Sequence, residues 1–248
     1  RQACTQTTVL LSGEGADELF GGYARIAAAQ AGADSARRPR AADPVGDVVR
    51  ATQAHPETRL AKLRPGASLA QAVAMRRALV EEGRGHHLAN CLQYDLRTHL
   101  VDLLARQDRM MMAHGIENRV PFLDRAVVEL ARALPAPLIV QSASPSSPRV
   151  SKVVVKGLAR RHFAASFVDR PKSAFNLPLA QYFRAAPFVT LMEEQWLPGM
   201  AARGLVDVAV VRRWWRRALS APATTEAFWM PVALELWAQA WLDRRPGR

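Results

Sequence analysis

Apolar residues fall in one short unbroken run near the start of the chain and in helical spacing almost everywhere after it. Thr8-Val9-Leu10-Leu11 is β-branched and aliphatic, is closed by Ser12-Gly13, and reads as a strand. Beyond it the spacing predicts helices. One starts at Ala16 and runs to Ala29, weakened at Gly21-Gly22. Leu69 to Glu82 is amphipathic, and Leu88 to Ala113 is a long apolar-periodic stretch that breaks once into two helices. Ala126 to Ala133 forms a helix ended before Pro135, and others are predicted over Lys152 to Phe163, Leu179 to Phe183, Val208 to Leu219 and Glu226 to Asp243. Residues 31 to 66, with scattered Pro, Gly, Asp and Arg, read as a surface excursion with short helical turns. Ser142 to Pro148 reads as a loop, and no internal repeat is visible.

This layout says something about the strand. A continuous apolar strand running into a glycine-rich turn and a helix is how strands of parallel α/β sheets read. Such a strand cannot be buried alone, because its backbone N–H and C=O groups need partners. Its neighbours are expected from sequence upstream of Arg1. On this reading the chain is a fragment, mostly α-helical, with one parallel-sheet strand at its N-terminus.

Composition adds bounds rather than an identity. The chain has 248 residues, 49% of them hydrophobic, enough for one sizeable core or for one domain plus an incomplete piece of another. No apolar run approaches the ~20 residues that span a bilayer and no leader opens the chain, so a soluble, cytoplasmic protein is the default. Cys4 and Cys91 match no metal-ligand spacing and read as ordinary thiols. The net charge of +12 suits a polyanionic partner, but an Arg- and Ala-rich solvated surface accounts for it more simply. Almost all of that charge is Arg; the lysines are Lys62, Lys152, Lys156 and Lys172.

The loop after the strand carries the candidate chemistry. In open α/β sheets ligands sit beyond the carboxyl ends of strands, where loops meet helix N-termini. Ser12-Gly13-Glu14-Gly15-Ala16-Asp17-Glu18 occupies that place. Its glycines let a ligand approach the backbone, and Glu14 and Asp17, three apart at a helix start, can face one crevice. Two carboxylates beside phosphates suit Mg²⁺. A dinucleotide fingerprint fails because Glu18 stands where its last glycine belongs, and no phosphate loop ending in Gly-Lys-Ser/Thr occurs. By the residues alone, acidic groups that merely complement the helix dipole remain an equal alternative.

Four blocks in order resemble one family. Leu11-Ser-Gly-Glu-Gly-Ala-Asp-Glu-Leu-Phe-Gly-Gly-Tyr23 is similar to the signature of the synthetase domain of glutamine-hydrolysing asparagine synthetases, a domain shared with β-lactam synthetases and lasso-peptide cyclases. Asp108-Arg-Met-Met-Met-Ala-His-Gly-Ile-Glu-Asn-Arg-Val-Pro-Phe-Leu-Asp124, the stretch from Lys152 to Leu179, and Leu234-Glu-Leu-Trp237 resemble it at the expected places.

The resemblance implies an α/β fold of the adenine-nucleotide α-hydrolase-like type, of which residues 1–248 are the C-terminal portion. It also implies a ligase that uses ATP and Mg²⁺ to convert aspartate to asparagine through β-aspartyl-AMP. Implied partners are aspartate or another small carboxylate, and ammonia from a glutaminase domain upstream in the same chain. It leaves room for a homodimer; neither membrane nor nucleic acid is expected. By match of motif, Ser12, Gly13 and Gly15 contact the nucleotide, Asp17 holds Mg²⁺, and Glu14 acts in intermediate formation and in deprotonating the incoming nitrogen. The family places a catalytic lysine at the start of the helix near residue 152. Counting back from Arg170-Pro171-Lys172 puts it on Lys152 rather than Lys156, with Lys172 a weaker candidate for phosphate contact. Ser151 and Ala174 stand where the family usually has glycine.

Other features have simpler readings. Arg119 and Asp124 are expected to pair in an architectural turn, and Met110-Met111-Met112 to fill a core. Asp108 and Arg109 are candidates for lining the substrate pocket. His86, His87 and His114 lack metal spacing, and Trp214-Trp215 is expected to pack inward with its flanking arginines in water. No Ser-Gly-Gly-x-Asp-Ser pyrophosphate loop and no N-terminal glutaminase nucleophile occur in these residues, so the polypeptide alone is expected to be inactive. A ring-closing relative and a non-catalytic scaffold are the alternatives.

Overall fold

A computed structural model describes residues 2–26, 61–64, 66, 68–82, 86–141, 150–170, 178–220 and 225–243. Two compact units divide the chain, Arg1–Gln53 with Gln71–Pro171 and Ala54–Ala70 with Lys172–Arg248. Among the described residues, no helix is long and apolar enough to cross a membrane.

In the first unit, β1 (Val9–Leu11) is followed by α1 (Ala16–Phe20), α2 (Ala70–Glu81), α3 (His87–Arg97), α4 (His99–Met112) and β2 (Glu117–Arg119). The partner of β1 corrects the expectation that it must come from upstream. β2 runs parallel to β1, Val9 opposite Glu117 and Leu11 opposite Arg119. The ladder is extended at both ends by Glu117 N donating to the Thr8 carbonyl at 2.7 Å and Ser12 N donating to the Arg119 carbonyl at 2.9 Å. Glu-Asn-Arg has no apolar alternation, so nothing local marks it as a strand.

The α3–α4 break falls at Thr98, whose hydroxyl donates to the Tyr94 carbonyl at 2.7 Å. The helix expected over Ala16 to Ala29 is cut at Gly21, which ends α1 in the left-handed region with φ 64°. Residues 27–60 and the loop Ser142 to Pro148 lie outside the described residues.

After β2 come α5 (Arg125–Ala133), α6 (Ala136–Ile139), β3 (Val140–Gln141), β4 (Val150–Ser151), α7 (Val153–Ala159) and α8 (Ala165–Val168). β3 and β4 pair antiparallel. α1 lies among α3, α5 and α7. Leu19 and Phe20 of α1 are buried with Ala131, while Ile26, Val80, Leu88, Cys91 and Ile139 form an adjoining core.

Two smaller expectations fail here. Met110 and Met112 are 58% and 56% exposed and fill no core. Arg119 pairs with Glu117 at 3.0 Å rather than with Asp124, whose carboxylate instead caps α5 by accepting from Ala126 N at 2.9 Å.

The second unit is helical: α9 (Leu179–Arg184), α10 (Ala186–Leu191), a π turn at Met192–Trp196, α11 (Leu197–Arg203), α12 (Val208–Ser220) and α13 (Thr225–Trp241). The run from Ala186 to Arg203 was not foreseen as helix. Phe183 sits at its centre, with the rings of Phe188 and Phe228 at 4.7 and 5.2 Å. Trp215 is buried there and donates to Glu193 at 2.8 Å, while Arg212, Arg213, Arg216 and Arg217 are exposed, as expected of that segment. Glu235, in the Leu234 to Trp237 block, is buried and accepts two bonds from Arg203 at 2.5 and 2.6 Å.

Candidate functional site

The strand ends where the ligand loop begins. Ser12 continues the ladder through its backbone, while its hydroxyl is buried and meets no hydrogen-bond partner among the described residues. A buried hydroxyl without a partner costs about 1–3 kcal/mol, and a ligand oxygen at this place would relieve that cost. Gly13 is in open space, with nothing within 4 Å of where a Cβ would stand. Gly15 has φ 86°, and a Cβ there would meet Leu123 Cδ2. Only glycine turns the chain into α1 at that point.

The two carboxylates of the loop find different partners. Glu14 accepts from Gln107 Nε2 at 2.9 Å, and Gln107 Oε1 in turn accepts from Asn118 Nδ2 at 2.7 Å. A carboxylate only accepts, so the amide orientations follow from it along this chain of bonds. Asp17 instead faces Lys152: Nζ lies 3.0 Å from Oδ1, with the two side chains 25% and 27% exposed. At that exposure the pair adds little to stability, and its interest is positional.

Lys152 is held in place by its backbone. It has φ 55° and ψ 41° at the start of α7, the one positive-φ non-glycine among the described residues. Its N–H donates to the Phe20 carbonyl at the end of α1 at 3.0 Å. A left-handed lysine is uncommon and is tolerated only where its surroundings over-determine it. Lys156 is one turn further along α7. Arg160's hydrogen bonds hold Asp169 below the usual carboxylate range, and the charge of Lys156 adds a smaller pull in the same direction.

Gly22 completes the arrangement. Its N–H donates to the Asp17 carbonyl at 2.9 Å, and a Cβ built on it would stand 1.6 Å from Asp17 Oδ1 and 2.4 Å from Lys152 Cε. The missing side chain is the space in which the ion pair forms.

Behind the loop lies a buried polar network. Glu18 is 1% exposed and accepts from the Tyr23 hydroxyl at 2.5 Å. Burial, and then Glu18, push the Tyr23 hydroxyl well above its ordinary range. Arg25 lies 4.5 Å over the Tyr23 ring and 3.1 Å from the buried Asp95. Burial outweighs the attraction of Arg25 and raises the Asp95 carboxyl to about 7.

The structure thus brings Asp17 and Lys152 together, sends Glu14 to Gln107, and leaves Ser12 and Gly13 at the mouth of the loop. Gln107, Asn118 and Gly22 were not singled out from the sequence; of these, only the Gly21-Gly22 pair left a visible trace. Asp108 and Arg109 are exposed, and it is their neighbour Gln107 that reaches the acidic loop. Lys172 lies outside the described residues. No group of three or more His, Cys, Asp or Glu that could hold a metal occurs among the described residues.

The family model for asparagine synthase matches residues 1–243. Putative glutamine-hydrolysing asparagine synthetases of Mycobacterium bovis and Mycobacterium tuberculosis are 28% identical over 250 residues, covering 86% of this chain and 36% of theirs. Asparagine synthetase [glutamine-hydrolyzing] 1 of Bacillus subtilis is 24% identical over 216 residues, covering 74% of this chain and 33% of its own. The chain therefore spans about a third of the length of the curated relatives it matches. No solved structure gives a significant match. Because that family model matches nearly its whole length, the chain belongs to the asparagine synthase family.

Proposed function

We propose that the loop from Ser12 to Asp17, together with Lys152, forms one wall of an adenylating site in an ATP-dependent amide-forming ligase. The observations that carry this reading are the Lys152–Asp17 pair at 3.0 Å and, at the end of a parallel strand, the buried hydroxyl of Ser12, which meets no partner among the described residues.

Activation of a carboxylate by ATP builds negative charge on phosphate and carboxyl oxygens, and a fixed cation lowers that barrier. Lys152 supplies a compact charge on a flexible stem. Ser12 offers a hydroxyl donor, and Gly13 an uncrowded backbone. Glu14, oriented by Gln107, is the base that takes a proton from the incoming nitrogen. Asp17 is the residue that would hold Mg²⁺. With no cluster of further acidic ligands among the described residues, the ion would draw its remaining ligands from phosphate oxygens and water, which suits its chemistry. Mg²⁺ would neutralise phosphate charge.

The substrate carboxylate is the β-carboxyl of aspartate, activated as β-aspartyl-AMP and released as asparagine by glutamine-derived ammonia. The test is ATP–pyrophosphate exchange by the full-length gene product with and without aspartate. Exchange that needs aspartate supports the assignment. Exchange with a different carboxylate would keep the adenylating class and replace the substrate by that of a ring-closing relative. Absence of exchange with any carboxylate would remove the reading.

A further inference from the structure

His86, which caps α3, and Asn90, Gln93 and Arg97 of that helix fall at helical spacing along one side of it. They form one wall of a cavity of about 330 Å³, closed below by Leu19, Leu92 and Ile139. Those three floor residues are 2%, 6% and 3% exposed. Leu19 follows Asp17 by two positions on α1, about 200° round the helix, so the cavity lies on the opposite side of α1 from the Lys152 pair. It is a second site, independent of how the acidic loop is read.

The charges around the cavity are unbalanced. Arg97 is committed to Glu82. Nδ1 of His86 accepts from Ala89 N at 3.3 Å, which leaves Nε2–H as a donor. Arg132, at the end of α5, lines the cavity and makes no ion pair among the described residues. Among the described residues, one uncommitted cation and one ring donor above a buried aliphatic floor describe a ligand with a single negative charge and an apolar body. A phosphate dianion would lack a second cation and would waste the floor. A neutral hydrocarbon would leave the Arg132 guanidinium without a counter-charge. The volume is at the lower end of small-molecule pockets.

We propose that this cavity binds a short linear aliphatic monocarboxylate, its carboxylate on Arg132 and its chain against Leu19, Leu92 and Ile139. The test is titration of the full-length gene product with hexanoate by calorimetry, with hexanamide and inorganic phosphate as comparison probes. Hexanoate is expected to saturate one site. Arg132→Gln, an exposed change that leaves the floor intact, is expected to raise its Kd roughly tenfold, and hexanamide to bind weaker by a similar factor. Ala89→Trp, which fills the cavity, is expected to abolish binding while circular dichroism stays unchanged. If Ala89→Trp does not fold, Arg132→Gln decides alone. No saturable hexanoate binding, equal binding by Arg132→Gln, or tighter binding of phosphate or hexanamide each overturns the proposal.

Discussion

Lys152 Nζ lies 3.0 Å from Asp17 Oδ1 because Gly22 has no side chain to keep them apart. The two residues come from distant parts of the chain, one from the first turn of α1 and one from the residue before α7. They meet because the Lys152 N–H is tied to the Phe20 carbonyl and the Gly22 N–H to the Asp17 carbonyl.

Gly22→Ala tests that geometry. Unlike Gly15 and Gly21, Gly22 is not among the positive-φ glycines, so alanine meets no backbone strain there. It meets side-chain ends, the Asp17 carboxylate and the Lys152 methylene. Moving them apart is expected to cost about 1–3 kcal/mol of stability and to open the ion pair. Exchange activity of the full-length product should fall by far more than the modest loss of stability explains. Wild-type activity in a folded Gly22→Ala protein would show that the pair is dispensable.

Lysine identity can be tested on the same helix. Lys152→Ala is expected to lower carboxylate-dependent exchange by roughly 10²–10³-fold. Lys152→Arg should recover little of it, since a planar fork cannot replace a point charge in a space shaped by Gly22 and Asp17. Lys156→Ala should stay near wild type. Equal losses at both positions would argue against a specific role for Lys152.

Tyr23→Phe isolates one hydroxyl. The ring keeps its contacts with Arg25 and with His99 at 5.3 Å, but Glu18 loses the donor on Oε1. A buried carboxylate so deprived costs about 1–3 kcal/mol. Urea unfolding should show a lower midpoint at unchanged slope. An unchanged midpoint would mean that this hydrogen bond contributes nothing net.

Asp95 predicts a pH dependence whose sign follows from burial. Its carboxyl is raised from 3.8 to about 7, so the folded state holds the proton more tightly than the unfolded chain does. The associated stability is fully present below about pH 4 and is lost as pH rises through about 7. Asp95→Asn removes that titration. Between those limits the stability difference should shift in favour of the variant, by at most about 1.4 kcal/mol for each pKa unit. Parallel curves for the two proteins would show that Asp95 ionises normally.

The two thiols should differ sharply in alkylation. Cys4 is exposed, whereas Cys91 is fully buried and burial pushes its thiol up to about 12. Mass spectrometry after brief iodoacetamide treatment of native protein should find Cys4 modified and Cys91 protected, with both modified in denaturant. Rapid native labelling of Cys91 would contradict the packing of α3.

Much of this was legible along the chain. The period of apolar residues fixed the helices of α3, α4, α5 and α12, because burying one face of a helix is a local constraint that repeats every turn. A single break within Leu88 to Ala113, the strand Thr8 to Leu11, the glycine-hinged loop after it and Lys152 at a helix start were all readable from residue type and spacing; that the break falls at Thr98 was not. What only the tertiary structure decided was which distant groups meet. Strand pairing is not local, so the polar triplet Glu117 to Arg119 showed no sign of being the parallel neighbour of β1. Gln107 reaches Glu14 only because α4 and β2 bring it there, and Met110 and Met112 are apolar yet exposed for the same reason: packing, not residue type, chooses the buried face. The sequence by itself named Asp17 and Lys152. That they form an ion pair in the space left by Gly22 is a property of the fold, because a contact between distant residues is set by the positions of whole elements and not by their local composition.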